Sequence, residues 1–384
     1  MTQPPGTTIF EVMSALARQT GAINLGQGFP ELEEPPELIA AAQAALAQRS
    51  NQYPPMLGLP ELRSAVAGFY QREQGLELSA DNIVVTSGGT EALAASLLAL
   101  IRPGDEVLLV QPLYDAYLPL VQWAGGTAKL ISLTPPHWTL PHADLAAAIG
   151  PRTRGIVLNT PNNPVGTMLT QADLELVGVL AETRDLWVLC DEVWEAMVFD
   201  GTAHISPLAV PALAARAIKI GSAGKIFSMT GWKVGWAVAA PEIAERIAAR
   251  HQFLTFTTAT PLQWAVTAGF ALPPAWFTAH AARYAAAKAR LVDGLEAVGF
   301  VVLPASGTWF VIVDLAASGL PADDRAIGQR LVNEAGVASI PVSAFYADAP
   351  ETPLPARAGA VPRLKKINRW NGGYWRMKRN GPSM

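Results

Sequence analysis

The chain has 384 residues, of which half are hydrophobic and 16% are charged. This length exceeds what one hydrophobic core usually supports, and the composition argues against extended disorder, so we expect two domains. A net charge of −4 and a single cysteine give no case for nucleic-acid binding, an intrachain disulfide or a zinc site. We also expect a cytoplasmic protein that does not enter a membrane, because the sequence shows neither a signal-peptide pattern nor an apolar run of bilayer length.

Apolar segments of strand length alternate with alanine-rich helical patterns along the first two thirds of the chain. The first unit is a strand at 83–86, a helix at 91–101 and a strand at 106–110. Further strands are predicted at 155–158, 187–190 and 217–221. Strands that alternate with helices form parallel crossover units, so this pattern predicts an α/β domain with a mainly parallel central sheet flanked by helices.

The last third of the chain has a different pattern, which predicts a smaller α+β domain. Residues 260–297 are rich in alanine and helical in character, and residues 299–304 and 308–315 have the pattern of strands in a second sheet. We therefore divide the chain into an N-terminal segment that joins the small domain (1–52), a large domain (53–285), a small domain (286–352) and a tail (353–384). The tail carries eight Lys or Arg residues and no Asp or Glu, so it is basic whereas the rest of the chain is acidic.

A glycine-containing loop joins the first predicted strand to the helix that follows it. Gly88 and Gly89 allow a ligand to approach the backbone closely, and the free amides at a helix start attract phosphate. The loop lacks the Gly-Lys-Ser/Thr of a Walker loop and the spacing of a dinucleotide-binding loop. On its own it fits a phosphate site or an ordinary turn in which Thr90 caps the helix.

Polar side chains also follow two later strands. Asn163 lies in a loop stiffened by two prolines and Gly166, where its amide can reach a ligand oxygen or belong to a simple turn. Asp191 ends an apolar strand, and catalytic groups gather at the carboxyl ends of parallel strands. Its carboxylate could pair with a protonated ring nitrogen of a cofactor, or it could cap the next helix.

Lys225 gives the strongest single signal in the sequence. It ends the segment Gly-Ser-Ala-Gly-Lys at 221–225, which places a lysine in a tight loop after an apolar strand rather than on a solvated helix face. A lysine amine forms a Schiff base once it is deprotonated, and burial or cationic neighbours favour deprotonation. With Ser222 and Lys233 close by in the sequence, an exposed loop lysine is the weaker alternative.

The glycine loop, the Asn163 loop, the strand that ends at Asp191 and the Lys225 segment follow one another in the chain. Together, and in this order, they resemble the class I/II pyridoxal-phosphate-dependent aminotransferases of fold type I. The resemblance extends from about residue 8 to about residue 350. Further segments are similar to the branch that contains kynurenine and glutamine transaminases and bacterial methionine aminotransferases, with succinyldiaminopimelate aminotransferases as neighbours. They are Asn-Leu-Gly-Gln-Gly-Phe-Pro at 24–30, Gln-Tyr-Pro-Pro at 52–55, Pro-Leu-Tyr-Asp-Ala-Tyr at 112–117 and His-Gln-Phe-Leu-Thr-Phe at 251–256.

The resemblance implies a role for each singled-out residue. Lys225 would hold pyridoxal 5'-phosphate as a Schiff base and shuttle the substrate proton, while Asp191 would keep the pyridine nitrogen protonated. Asn163 would bind the ring hydroxyl oxygen and Tyr114 would stack on the ring. Tyr53 would reach the phosphate of the neighbouring subunit in a homodimer, and Gly28 would lie near the substrate carboxylate. The phosphate itself would be held by Gly88, Gly89, Thr90, Ser222 and Lys233.

The sequence departs from the family pattern at two places. Trp194 stands three residues after Asp191, where the family usually has a tyrosine that contacts the ring oxygen, so we expect altered electronics of the cofactor. After about residue 352, the family's strand with a carboxylate-binding arginine is not recognisable. The prolines, glycines and one-signed charge of the tail favour neither a central strand nor an amphipathic helix, so we expect it to pack poorly. The arginine role is assigned to neither Arg357 nor Arg363.

The predicted function is transfer of an amino group from an α-amino acid to a 2-oxo acid. The resemblance implies methionine, glutamine, aromatic or kynurenine-like amino acids as donors. One alternative is a cysteine-conjugate β-lyase, because the same cofactor also supports elimination of a leaving group. The other alternative is a pyridoxal-phosphate-binding protein with little catalysis, which Trp194 and the unusual tail suggest.

Overall fold

The computed structural model describes residues 8–26, 34–199, 201–347 and 356–359. The α-helices in these ranges are α1 (Ile9–Thr20), α2 (Pro36–Gln48), α3 (Pro60–Gln74), α4 (Gly89–Leu100), α5 (Tyr117–Trp123), α6 (His142–Ala148), α7 (Gln171–Arg184), α8 (Ala223–Ile226), α9 (Pro241–Leu254), α10 (Thr260–Phe270), α11 (Pro274–Glu296) and α12 (Asp324–Ala335). The strands are β1 (Ile23–Asn24), β2 (Ile83–Thr86), β3 (Glu106–Gln111), β4 (Thr127–Ser132), β5 (Thr153–Asn159), β6 (Trp187–Asp191), β7 (Ala217–Ser222), β8 (Gly235–Val238), β9 (Val301–Leu303), β10 (Phe310–Asp314), β11 (Val337–Ala338), β12 (Ile340–Pro341) and β13 (Ala356–Gly359). Among the helices of these ranges, none is long and apolar enough to cross a membrane.

Seven strands form the large sheet, in the order β2-β8-β7-β6-β5-β3-β4. Neighbouring strands are parallel except at β8, which runs antiparallel to both β2 and β7. Successive residues point to opposite faces, so Leu108 and Leu158 pack in one core whereas Leu109 and Val157 pack in another. Residues of α7 complete the first core and residues of α4 the second, which is why the inner strands are continuous apolar runs. The predicted α/β class is confirmed.

The five strands predicted for the large domain are present as β2, β3, β5, β6 and β7, and the predicted helix at 91–101 is α4. Two strands of this sheet were not predicted. β4 lies at the edge and is mostly half-exposed, so it lacks the continuous apolar pattern of an inner strand. β8 is only four residues long and follows the loop after Lys225 directly, so it carries little pattern of its own.

The small sheet has the order β12-β13-β10-β9 and is antiparallel throughout. The two strands predicted near 299–304 and 308–315 are present as β9 and β10. β13 lies between β10 and β12, with Arg357 opposite Ile312 on one side and Ile340 on the other. The expectation that the tail holds no central strand is therefore wrong for 356–359. The backbone groups of two neighbouring strands supply the pairing, which does not require an apolar pattern in β13.

The N-terminal segment contacts the C-terminal third of the chain. β1 pairs in parallel with β11, with Ile23 opposite Val337. α1 packs Met13 and Ala17 into a core that contains Val332 of α12. These contacts are consistent with an N-terminal segment that joins the small domain. The domain boundaries at residues 52, 285 and 352 stay a prediction. The tail outside 356–359, with Arg363, lies beyond the described residues.

Candidate active site

A cavity of about 240 Å³ lies where β2, β5, β6 and β7 end. Nine residues predicted from the sequence line it: Gly88, Gly89, Thr90, Tyr114, Asn163, Asp191, Ser222, Lys225 and Lys233. The sheet brings these distant segments together because the carboxyl ends of its parallel strands share one edge. Leu93, Tyr117, Val193, Trp194, Gly224 and Thr230 complete the lining. Tyr53 is not part of this lining, and Gly28 lies outside the described residues.

The loop before α4 brings its backbone against Lys233. A Cβ atom on Gly88 would lie 3.2 Å from Cε and 3.3 Å from Nζ of Lys233, and the φ of Gly88 is +81°, a conformation that favours glycine. A Cβ atom on Gly89 would lie 3.2 Å from Val193. The backbone amides at the start of α4 and the lysine amine offer the donors and the positive charge that a phosphate group requires.

Asp191 ends β6 with a buried carboxylate. Its Oδ2 accepts a 2.7 Å hydrogen bond from the Tyr117 hydroxyl, and its Oδ1 accepts a 3.3 Å hydrogen bond from the backbone N–H of Val193. Burial raises the pKa of Asp191 to about 6, although both hydrogen bonds and the charge of Lys225 act to lower it. A cation placed beside this carboxylate, such as a protonated ring nitrogen, would stabilise its charged form.

The loop after β5 presents Asn163 to the same cavity. The Asn159 side chain fixes this loop, since its Nδ2 donates to the Asp191 carbonyl at 2.8 Å and its Oδ1 accepts from the Asn163 backbone N–H at 2.6 Å. The Oδ1 atom of Asn163 is buried, and no donor in the described part of the chain reaches it. A buried amide in this situation needs a partner, which a bound ligand can supply.

Lys225 lies in the single-turn helix α8, directly after β7. Its Nζ is 4.4 Å from the centroid of the Trp194 ring and 5.3 Å from that of the Trp309 ring. Both indoles are buried and share an aromatic cluster with Phe310. The sequence marked Trp194 as a departure from the family pattern but did not reveal its contact with Lys225. Trp309 is fully buried.

The sequence motifs contain three tyrosines, and these occupy different places in the structure. Tyr114 and Tyr117 line the cavity and contact each other edge to face at 5.7 Å. Burial raises the pKa of Tyr114, so its hydroxyl stays protonated at neutral pH. Tyr117 was given no role from the sequence, although its spacing of three residues from Tyr114 fits one side of a helical turn. Tyr53 is 82% exposed and contacts Phe256 edge to face at 5.5 Å.

A buried ion-pair network lies beside Asp191 in the chain. Lys219 of β7 donates to Glu192 and to Glu195, both at 2.6 Å, and all three side chains are almost fully buried. His204 pairs with Glu192 at 2.7 Å, and Tyr70 donates to Glu195 at 2.7 Å. Burial alone would lower the pKa of Lys219, but the two carboxylates raise it above its ordinary value, so the amine stays charged. Lys219 therefore holds both ends of the turn that contains Trp194.

The residues present fit pyridoxal phosphate. A Cβ atom at Gly88 would fill the space between the glycine loop and Lys233, where a phosphate would bind. The Asn163 amide oxygen lacks a partner among the described residues, and the buried Asp191 carboxylate would be stabilised by a cationic ring. Lys225 lines the same cavity as these groups. One ligand that carries a phosphate, a ring nitrogen and a carbonyl carbon would satisfy all of these groups together.

Comparison with known proteins identifies the family. The family model for aminotransferase class I and II matches residues 20–355. The chain belongs to this family. It is 42% identical to the methionine aminotransferase of Escherichia coli (strain K12) over 89% of each chain, and 34% identical to kynurenine–oxoglutarate transaminase 1 of Homo sapiens over 86% of each. Its fold superposes on N-succinyldiaminopimelate aminotransferase from Mycobacterium tuberculosis with a TM-score of 0.91, 38% identity and coverage of 95% of this chain and 96% of the other.

Family membership confirms the main functional predictions. This aminotransferase has fold type I, depends on pyridoxal phosphate and transfers amino groups of amino acids. The relatives favour neither the β-lyase nor the non-catalytic binder, so transamination is retained as the function.

Proposed function

We propose that Lys225 is the residue that binds pyridoxal phosphate covalently, that the Asp191 carboxylate would pair with the protonated ring nitrogen, and that the loop before α4 would hold the phosphate. The observation that carries this proposal is the convergence of a lysine amine, a buried carboxylate and a glycine loop in one cavity of about 240 Å³. Gly88, Gly89, Thr90, Ser222 and Lys233 would hold the phosphate. Asn163 would bind the ring hydroxyl oxygen and Tyr114 would pack against the ring.

The reaction follows from how these side chains are charged and placed. When bound, pyridoxal phosphate withdraws electrons from the α-carbon of an amino acid, which lets the amino group pass to a 2-oxo acid. Asp191 would keep the ring nitrogen protonated, because its buried carboxylate would be stabilised by that cation. The Nζ of Lys225 would take the proton from the α-carbon of the substrate and deliver it to the cofactor carbon that carries the amino group. Trp194 and Trp309 limit the access of water to this nitrogen.

The donor substrates proposed for this site are methionine, glutamine, aromatic or kynurenine-like amino acids. Two relatives carry methionine and kynurenine in their names, at 42% and 34% identity. The indole of Trp194, which lines the cavity beside Lys225, is also suited to a thioether or an aromatic side chain. Gly28 near the substrate carboxylate stays a prediction.

We propose that two copies of the chain form the active unit. Tyr53 and Phe256 contact each other edge to face and are 82% and 40% exposed, and Phe253, three residues before Phe256 in the chain, is 84% exposed. Exposed aromatic clusters of this kind are typical of protein interfaces. Tyr53 does not line the cavity of its own chain. In a dimer it would instead reach the phosphate bound in the cavity of the second copy. A cytoplasmic location likewise stays a prediction.

Replacing Lys225 by Ala tests the assignment. Borohydride reduction of the holoenzyme followed by peptide mapping should attach the cofactor to Lys225, and Lys225→Ala should lose both this link and transamination. Lys233→Ala is the matched control, because it removes a lysine from the same cavity but should keep the reducible link while binding the cofactor more weakly. A reduced adduct on another lysine in the Lys225→Ala variant would overturn the assignment.

Donor preference and reaction type have their own readout. Single-turnover conversion of the bound cofactor to its amine form should be fastest with methionine, glutamine or an aromatic amino acid. Formation of an aminated 2-oxo acid supports transfer, whereas pyruvate with a free thiol from a cysteine conjugate would support elimination.

A further inference from the structure

Two buried indole rings lie next to the amine of Lys225. The Nζ atom is 4.4 Å from the centroid of Trp194 and 5.3 Å from that of Trp309. The two rings meet edge to face, with centroids 4.4 Å apart and an interplanar angle of 86°. Trp194 is 2% exposed and Trp309 is fully buried, and cation–π attraction is stronger for desolvated rings than for exposed ones.

Both rings are held in place from behind. Tyr284 stacks on Trp309 with centroids 5.1 Å apart, and its hydroxyl forms a 2.6 Å hydrogen bond with the Ser228 hydroxyl. Ser228 stands three residues after Lys225 and has a φ of +59°. On the other side, Trp194 lies in the turn whose ends Lys219 connects through ion pairs. The aromatic surface near Lys225 is therefore preorganised.

A cation close to an indole ring is attracted by the negative charge of the π face. We propose that Trp194 is a further catalytic residue, whose ring stabilises the positively charged form of the Lys225 nitrogen. The proposal rests on the assignment of Lys225 as the cofactor-binding lysine. The ring acts on the same atom that binds the cofactor and carries the proton during the reaction.

Other charged or titratable groups also face this nitrogen. Those that line the same cavity are Asp191 from β6, Tyr114, Tyr117 from α5 and Lys233. Asp191 favours a positive charge at Lys225, and Lys233 opposes one. Because these groups are unchanged in a variant of Trp194, a shift in the titration of Lys225 between such variants reports on the ring.

The test uses Trp194→Phe and Trp194→Leu in the holoenzyme. The measured quantity is the pH at which the visible absorbance of the lysine-bound cofactor changes. We expect this midpoint to fall by about 0.4 to 1.5 units in Trp194→Leu, which corresponds to a cation–π energy of about 0.5 to 2 kcal/mol at 1.36 kcal/mol per unit. Trp194→Phe should fall in between, because a benzene ring attracts a cation less strongly than indole does.

Phe199→Leu is the matched control. Phe199 belongs to the same aromatic cluster, but the cation over its ring is Lys288, at 5.2 Å. This variant should lose stability as Trp194→Leu does and leave the midpoint unchanged. Equal midpoints in the parent enzyme, Trp194→Phe and Trp194→Leu would overturn the proposal. A shift in Phe199→Leu as large as that in Trp194→Leu would overturn it as well. If borohydride mapping instead places the cofactor on a different lysine, the proposed function fails as well, which separates the two failures.

Discussion

Replacing Asp191 by Asn should move two properties of this aminotransferase in opposite directions. Burial raises the pKa of Asp191 to about 6 from an ordinary value of 3.8. Because the folded protein binds this proton more tightly than the unfolded chain does, stability falls as pH rises from about 4 to about 6 and stays reduced above that range. A shift of about two units corresponds to about 3 kcal/mol at neutral pH.

An asparagine at position 191 removes the cost of burying a charge, but it cannot accept all the hydrogen bonds that the carboxylate accepts. Tyr117 and Val193 both direct donors at the carboxylate, and the amide offers only one oxygen. One weakened hydrogen bond costs about 1 kcal/mol, so the apoenzyme should gain about 2 kcal/mol at pH 8. The holoenzyme should lose about 1.5–3 kcal/mol of cofactor binding, because the amide cannot form an ion pair with the protonated ring, and the transamination rate should fall with it.

Denaturant unfolding of the apoenzyme at pH 8 and pH 5, together with cofactor titration, measures both effects. The stability gain of Asp191→Asn should shrink at pH 5, where the parent carboxyl is already largely protonated in the folded state. A variant that is less stable than the parent at both pH values would refute the reasoning, since the buried charge would then carry no cost. Unchanged cofactor affinity and unchanged turnover would refute the role of Asp191 at the ring nitrogen.

Three further predictions concern the dimer, the buried ion pairs and the tail. Mixing Lys225→Ala subunits with Tyr53→Phe subunits should restore one native site per heterodimer, so cofactor affinity at that site should recover; absence of recovery would place Tyr53 at its own chain's site or at none. Lys219→Met should cost about 3–5 kcal/mol in urea unfolding, because two carboxylates stay buried without their cation, and adding Glu195→Gln should recover part of the loss; an unchanged midpoint would show that the carboxylates adapt without Lys219. Ending the chain before Ala356–Gly359 should lower the melting temperature measured by calorimetry, because β10 and β12 lose a shared partner; an equal melting temperature would mean that β13 adds no stability.

The large sheet and most of the candidate site were predictable because their signals are local. Inner strands such as β6 are continuous apolar runs, and Asp191 directly ends one of them. Lys225 follows another strand in a loop of small residues, which is a pattern that few structural roles require. Parallel topology then predicts that side chains at these strand ends share one edge of the sheet.

The contacts that the sequence did not reveal depend on tertiary structure. Lys219 lies within a predicted apolar strand, and only the fold brings Glu192 and Glu195 to its amine. The place of Trp194 against Lys225 depends on the relation of β6 to β7 and on the turn after β6. β13 escaped prediction because two neighbouring strands can pair with its backbone despite an unfavourable composition, so tertiary context outweighs propensity.

The location of β13 also governs the order in which the chain can fold while it is being synthesised. The residues that line the cavity all lie between Gly88 and Lys233, and the large sheet is complete once β8 has emerged. The small sheet waits for Ala356–Gly359, roughly 120 residues later, which takes about 6 to 24 s at ordinary rates of translation. α1 and β1, although they are made early, also wait for their partner β11. A nascent chain can therefore carry the residues of the cofactor cavity before α1, β1 and β13 have met their partners.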